Sequence, residues 1–268
     1  MSSLPFELAA ATVMGREHAR AGRNNQDALW ARASEHGLAA VVADGCGSGA
    51  QSELGAQLGA RRVVEGALSL LGQQVPVDSP GFLQRLGADV LCFLQALSGE
   101  LGQRAIGEAL LFTLVGAVVT PEHTLVFSAG DGLWALNGSV HRLGPFPGNA
   151  PPYLAYGLLK PGAVSLQAQA LRRTEEVDSL LLGTDGVCDL EGLAAARVPE
   201  RDEPVGPLSQ FWSDDRFFSN PDALRRRLAL LNREAVRADF SAQRLVRVPG
   251  LLSDDTTLVV LRRRQGRA

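Results

Sequence analysis

A layered α+β fold is predicted by three features of the sequence. Two short apolar strands lie near its start, two long helical runs follow them, and a block of strands joined by hairpin turns comes next. Residues 29–33 and 38–43 are the strand pair, flanking a turn that contains Ser34 and Gly37. Glycines crowd 45–49. Ser52 and Glu53 then open a run to about residue 71 in which Leu54, Leu58, Val63 and Ala67 fall near helical spacing. Proline and glycine interrupt it at 76–81, and 82–97 reads as the second helix. Residues 109–120 give the strongest strand signal, being rich in β-branched and other apolar side chains, and Pro121-Glu122-His123 turns the chain back into 124–129. Residues 133–136 and 139–142 flank Asn137-Gly138, the dipeptide of a tight hairpin, so the pairing is antiparallel.

The second half is sparser. Residues 144–161 are rich in glycine and proline and read as a surface connection, while 179–182 and 256–261 are the remaining strands. Between them, 198–220 is irregular and charged, with exposed aromatics at Phe211, Trp212, Phe217 and Phe218, and a helix runs from 221 to about 237. No repeat, low-complexity tract or linker divides the chain, so residues 1–268 are expected to form one domain.

Composition excludes several function classes. A hydrophobic content of 46% supports a core, and a formal net charge of −3 gives no footprint for nucleic acid or an anionic membrane. No uninterrupted apolar run reaches the roughly 18 residues of a membrane span, and no signal peptide is evident at the start. Cys46, Cys92 and Cys188 form no paired framework, which fits a reducing, cytoplasmic setting. Cys92, inside the apolar run 90–94, is expected in the core, and Arg262-Arg263-Arg264 as a solvated tail.

Chemistry is concentrated in Asp27, Asp44, Asp131, Asp185 and Asp254, each at the end of an apolar, strand-like segment. A carboxylate just past a buried strand is held by rigid backbone yet reaches solvent. Several converging there would repel one another unless cations sat between them. Oxygen ligands without a His or Cys cluster favour magnesium, manganese or calcium over zinc. Other catalytic classes lack their signatures. The sixth position after each cysteine holds Ser52, Ser98 or Ala194, where a cysteine-phosphatase loop needs Arg. Ser48 has no nucleophile elbow, and Lys160 has no Walker-type glycine lead-in.

The order of these segments resembles the metal-dependent protein serine/threonine phosphatases of type 2C, in their bacterial form. Arg23-Asn24-Asn25-Gln26-Asp27, Asp44-Gly45-Cys46-Gly47, Gly130-Asp131-Gly132, Thr184-Asp185-Gly186 and Asp254-Asp255-Thr256-Thr257 follow in the family's order, from about residue 15 to 261. The resemblance implies a four-layer αββα sandwich, two stacked antiparallel sheets flanked by helices, with metals at one end. It also implies hydrolysis of phosphoserine or phosphothreonine on proteins by a water activated between two Mn2+ or Mg2+ ions, opposing a Ser/Thr kinase. By the same carry-over Asp44 bridges the ions and the Gly45 carbonyl is a further ligand. Asp185 and Asp254 hold the first ion, Asp27 sits near the second, and Asp131 joins Asp185 at a weaker third. Asp44, Asp185 and Asp254 are thus the expected catalytic set.

Three departures matter. Gly22 stands where the family's phosphate-gripping Arg usually lies, leaving Arg23, Arg16, Arg20 or His18 to substitute, Arg23 first. Cys46 stands where some members carry His, and Gln26 replaces a Glu that supports the second metal in others. Two rival functions accompany the main one. The chain could be a non-catalytic pseudophosphatase that binds a partner through residues 211–218, or a phosphatase of a small phosphorylated molecule.

Overall fold

Phe112–Val119 is buried at every position, a pattern that requires a strand covered on both faces. The computed structural model, which describes residues 4–241 and 243–264, provides that cover. Its first half runs β1 (Phe6–Val13), α1 (Arg16–Ala21), β2 (Asp27–Ala33), β3 (Leu38–Gly45), α2 (Ser52–Gly72), α3 (Pro80–Leu101), α4 (Ala105–Ala109), β4 (Phe112–Val119), β5 (His123–Ala129), β6 (Gly132–Leu136) and β7 (Ser139–Leu143). The second half runs β8 (Gln167–Arg173), β9 (Ser179–Gly183), α5 (Gly186–Gly192), α6 (Gln210–Ser213), α7 (Arg216–Ser219), α8 (Ala223–Leu231), β10 (Ala235–Asp239), β11 (Arg244–Val248) and β12 (Thr256–Arg263).

Two five-stranded sheets, ordered β2-β3-β4-β5-β8 and β1-β12-β9-β6-β7, are antiparallel throughout. Alternation along each strand sends one set of side chains between the sheets and the other outward. Val42, Val115 and Val126 of the first sheet meet Leu180, Leu182, Val259 and Trp134 of the second in the middle layer. On the outer face of the first sheet, Val63, Ala67, Leu86 and Val90 of α2 and α3 cover Val41, Leu114 and Phe127. On the other, Val187, Phe211, Phe217, Leu224 and Leu228 cover Leu133, Leu181, Leu258 and Val260. The result is the αββα sandwich expected. Among the described residues no helix is long and apolar enough to cross a membrane.

Several sequence expectations are corrected. The aromatic segment is not exposed: Phe211 and Phe217 are 0% and 1% accessible, with ring centroids 5.3 Å apart. The short helices α6 and α7 turn them into the core beneath the second sheet, while Trp212 and Phe218 pack at its margin. The helix expected to about residue 237 stops at Leu231. Its buried positions Leu224, Leu228 and Leu231 end there, and beyond Asn232 the chain pairs Ala235–Asp239 with Arg244–Val248.

Cys92 is exposed, because α3 turns Val90 and Leu94 inward and a residue midway between them faces out. Arg262 and Arg263 belong to β12 rather than to a tail. Arg262 pairs with Glu7 and Asp215 with its side chain only 13% accessible, and Arg263 donates to the Val177 carbonyl at 3.0 Å. The strand expected from residue 109 begins at Phe112, after α4. The glycine- and proline-rich connection is not all surface, since Tyr153, Leu154 and Ala155 are buried.

Phe211→Ala is accordingly expected to destabilise the fold by about 3–5 kcal/mol, the range for deleting a buried aromatic side chain. It would appear as a lowered denaturation midpoint in urea. An unchanged midpoint would return Phe211 to the surface.

Candidate metal centre

β2 and β3 pair so that Asp27 lies directly opposite Asp44. Both carboxylates share the face of Leu29 and Val42, which look into the middle layer, so they close that layer at one end. Asp131 occupies the corner where the chain leaves β5 for β6 and so crosses from one sheet to the other. Asp185 follows the end of β9, and Asp254 precedes β12. Asp44, Asp131, Asp185 and Asp254 line a single cleft of about 310 Å3, together with Gly45 and His18. Asp27 lies beneath it, only 4% accessible, and its Oδ2 accepts a hydrogen bond from Thr184 Oγ1 at 2.7 Å, tying the two sheets together.

The electrostatics are those of crowded acids. Burial, followed by the charges of Asp27, Asp185, Asp254 and Asp131, pushes the Asp44 carboxyl well above the usual range. Asp27 is raised likewise, chiefly by burial. Asp185 is pushed up to about 7 by burial and then by Asp254 and Asp131. Burial also raises Asp131 and Asp254. Two buried acceptors here, Asp27 Oδ1 and Gln26 Oε1, have no hydrogen-bond partner among the described residues. Gln26 Nε2 is fixed by donating to Ser52 Oγ at 2.7 Å.

Repelling carboxylates, unpartnered oxygen acceptors and no thiolate cluster fit hard divalent cations. The backbone fits as well. A Cβ on Gly45 would lie 2.7 Å from the Ser52 carbonyl oxygen and 2.9 Å from that of Gln26, so only glycine brings the chain this close.

The neighbouring acids have different tasks. Asp255 is 2% accessible and accepts from the backbone N–H of Gly15 at 2.7 Å and of Gln26 at 2.6 Å. It joins the turn before α1 to the segment before β2, while Asp254 faces the cleft. His18 enters from α1, with Nδ1 2.9 Å from Asp255 Oδ2 and 4.0 Å from Asp254 Oδ1. Gly22 has a structural reason to replace Arg: it ends α1 in the left-handed conformation at φ 65°, donating back to the Ala19 carbonyl.

Arg23 does not line the cleft. Its Nη1 donates to the Gly47 carbonyl at 2.5 Å and its Nη2 to that of Gly49 at 2.8 Å. Of the other arginines considered, Arg16 donates to the Gly250 carbonyl at 2.8 Å and Arg20 reaches Glu17 at 3.4 Å. Among the described residues, no arginine or lysine lines the cleft.

Sequence reasoning missed Tyr153, which lines the cleft with Cys46 and Ser48. Cys46 Sγ lies 3.2 Å from Ser48 Oγ. Burial raises its pKa, but hydrogen bonds from Ser48, Tyr153 and the Ser48 and Gly49 amides outweigh burial and hold the thiol below its ordinary range. Burial and then Cys46 push the Tyr153 phenol upward. Nothing around Tyr153 in the sequence marks it; the fold alone carries it from the connection after β7 to the cleft.

An αββα sandwich with aspartates gathered at one end of its two sheets is the frame of a phosphatase class. Residues 14–229 match the family model described as protein phosphatase 2C, and the chain belongs to that family. A bacterial serine phosphatase structure is similar at 14% identity, covering 98% of this chain and 100% of that one with a TM-score of 0.53. A C. elegans sex determining protein aligns at 14% identity over 98% of this chain and 66% of its own, with a TM-score of 0.52. The Mycobacterium tuberculosis serine/threonine phosphatase PstP shares 17% identity over 97% of this chain and 99% of its own, with a TM-score of 0.48. At such identities the first two likenesses are ones of fold alone. No curated protein matches this sequence.

Proposed function

We propose that this protein hydrolyses phosphoserine or phosphothreonine on proteins, opposing a serine/threonine kinase, with Mn2+ or Mg2+ held in the aspartate cleft. The observation that carries this reading is the arrival of Asp27, Asp44, Asp131, Asp185 and Asp254, from five separate segments, at one end of the sandwich. Asp44, at the centre of the mutual repulsion, and the Gly45 carbonyl would hold metal together with Asp185 and Asp254. Asp27 and Gln26, whose Oδ1 and Oε1 are unpartnered among the described residues, would serve a second ion, and Asp131 with Asp185 a weaker third. When bound, the ions neutralise phosphoryl charge and acidify a water.

The remaining tasks fall to the other residues lining the cleft. The Ser48 and Tyr153 hydroxyls and the His18 ring are the donors there for phosphoryl oxygens. Burial of Phe211 and Phe217 counts against the pseudophosphatase reading, because it removes the partner surface on which that reading stood.

Phosphate release from a phosphopeptide should depend on added Mn2+ or Mg2+, stop with excess chelator and not be restored by Zn2+. Full activity in chelator would exclude the metal reading. Activity on an aryl phosphate but on no phosphopeptide would move the substrate to a small molecule.

A further inference from the structure

We propose that Arg23 is a positioning residue, which braces the glycine loop forming one wall of the cleft and does not grip the phosphate itself. The inference rests on the reading of the cleft as a metal-phosphatase site. Gly45, Gly47 and Gly49 alternate along this loop, and such a backbone loses much conformational entropy when it is held in one shape. Packing does not hold its tip: a Cβ on Gly47 would meet nothing within 4 Å. The loop's own bonds fix its two ends. Gly45 N donates to the Gln26 carbonyl at 3.1 Å, Cys46 N to that of Leu111 at 2.9 Å, and Gln51 N to that of Glu108 at 2.9 Å. Across the middle, besides the turn from Gly49 N to the Cys46 carbonyl at 2.8 Å and a long contact from Gln26 to the Gly49 carbonyl, the shortest tie from outside the loop among the described residues is the Arg23 fork on the Gly47 and Gly49 carbonyls.

A planar guanidinium suits that task, since two parallel donors set the distance and the angle between two acceptors together. The neighbours of Arg23 reinforce the same junction. Asn24 Nδ2 donates to Glu53 Oε1 at 2.7 Å, and Gln26 Nε2 reaches the Gly49 carbonyl at 3.4 Å. Segment 23–26 is therefore laced to 47–53, and the lacing sets where the Gly45 carbonyl and the Ser48 hydroxyl stand in the cleft. For Arg23 to reach a phosphate it would first have to release both carbonyls.

The test uses the full chain with Arg23→Ala and Arg23→Lys. Mn2+ affinity is read by titration calorimetry without substrate, and hydrogen exchange of the 46–50 amides is read in chelator. Bracing predicts that Arg23→Ala weakens Mn2+ binding by roughly tenfold or more, the range for groups that orient metal ligands. It also predicts faster exchange at 46–50 and no rescue by lysine, whose single ammonium does not reproduce the fork. Unchanged Mn2+ affinity and exchange, with weaker inhibition by inorganic phosphate that lysine restores, would overturn the proposal in favour of a direct phosphate contact. A wild-type protein that binds no Mn2+ would defeat the metal reading instead, and the exchange measurement would still decide the role of Arg23.

Discussion

Asp44→Asn is expected to lower kcat by more than about 100-fold, beyond the cost of losing a group that merely orients a ligand. The same change should leave the metal-free protein as stable as the parent or more so. Both expectations follow from one arrangement. Asp44 is half-buried, faces Asp27 across the β2–β3 ladder, and is pressed further by Asp185, Asp254 and Asp131. Its charge is useful only when a cation offsets that repulsion, so asparagine relieves the empty site and cripples the loaded one. Kinetics on one phosphopeptide, together with melting temperatures in chelator and in Mn2+, check both halves. Turnover near the parent value would remove Asp44 from the centre. A metal-free melting temperature well below the parent value would mean that the carboxylates are not crowded.

The parts of this molecule that were legible in its sequence are those whose cause is local. Asn137-Gly138 between two strand-like runs carries a strong hairpin signal of its own, and an aspartate after a buried strand stands at the sheet's end. What could not be read depends on distant partners. β1 is an alanine-rich edge strand whose state is decided by pairing with β12 at the far end of the chain. β8 lacks the alternation of a half-buried strand, because its register against β5 shifts between Val126 and Phe127 and most of it lies at an exposed edge. The hairpin of β10 and β11 was hidden by residues such as Arg233, Glu234, Arg237 and Ala238, which favour a helix until pairing overrides propensity.

The site shows the same division. All five aspartates gathered at this end of the sandwich were singled out from their immediate contexts. The separate tasks of Asp254 and Asp255 are fixed instead by which backbone amides fold back onto each side chain. Arg23 was expected on the phosphate because charge and nearness in sequence were all that could be weighed. Its engagement by two carbonyls of the next loop is a property of the tertiary structure.

In chelator, the protein is expected to lose stability as pH rises from about 5 to 8, the reverse of the usual acid denaturation driven by paired carboxylates. Asp185 holds its proton to about 7 in the folded state, through burial and then through Asp254 and Asp131. An unfolded aspartate releases its proton near 3.9. Between these values the native state binds more protons than the unfolded one, so the slope of stability against pH is negative. The contribution is fully present below about pH 4, where both states are protonated, and is lost as pH passes through the folded value. For Asp185 alone the span corresponds to roughly 4 kcal/mol, and Asp27 and Asp44, raised in the same direction, add to it. Mn2+ competes with those protons and binds the folded state, so it should raise the melting temperature more at pH 8 than at pH 5. Melting curves at both values, with chelator and with Mn2+, test the sign directly. A chelated protein that grows more stable from pH 5 to 8, or a Mn2+ effect no larger at the higher pH, would contradict a cleft whose carboxylates are crowded close to one another. Asp44→Asn should flatten the chelated profile, because it removes one of the carboxyls whose proton is held more tightly in the folded state than in the unfolded one.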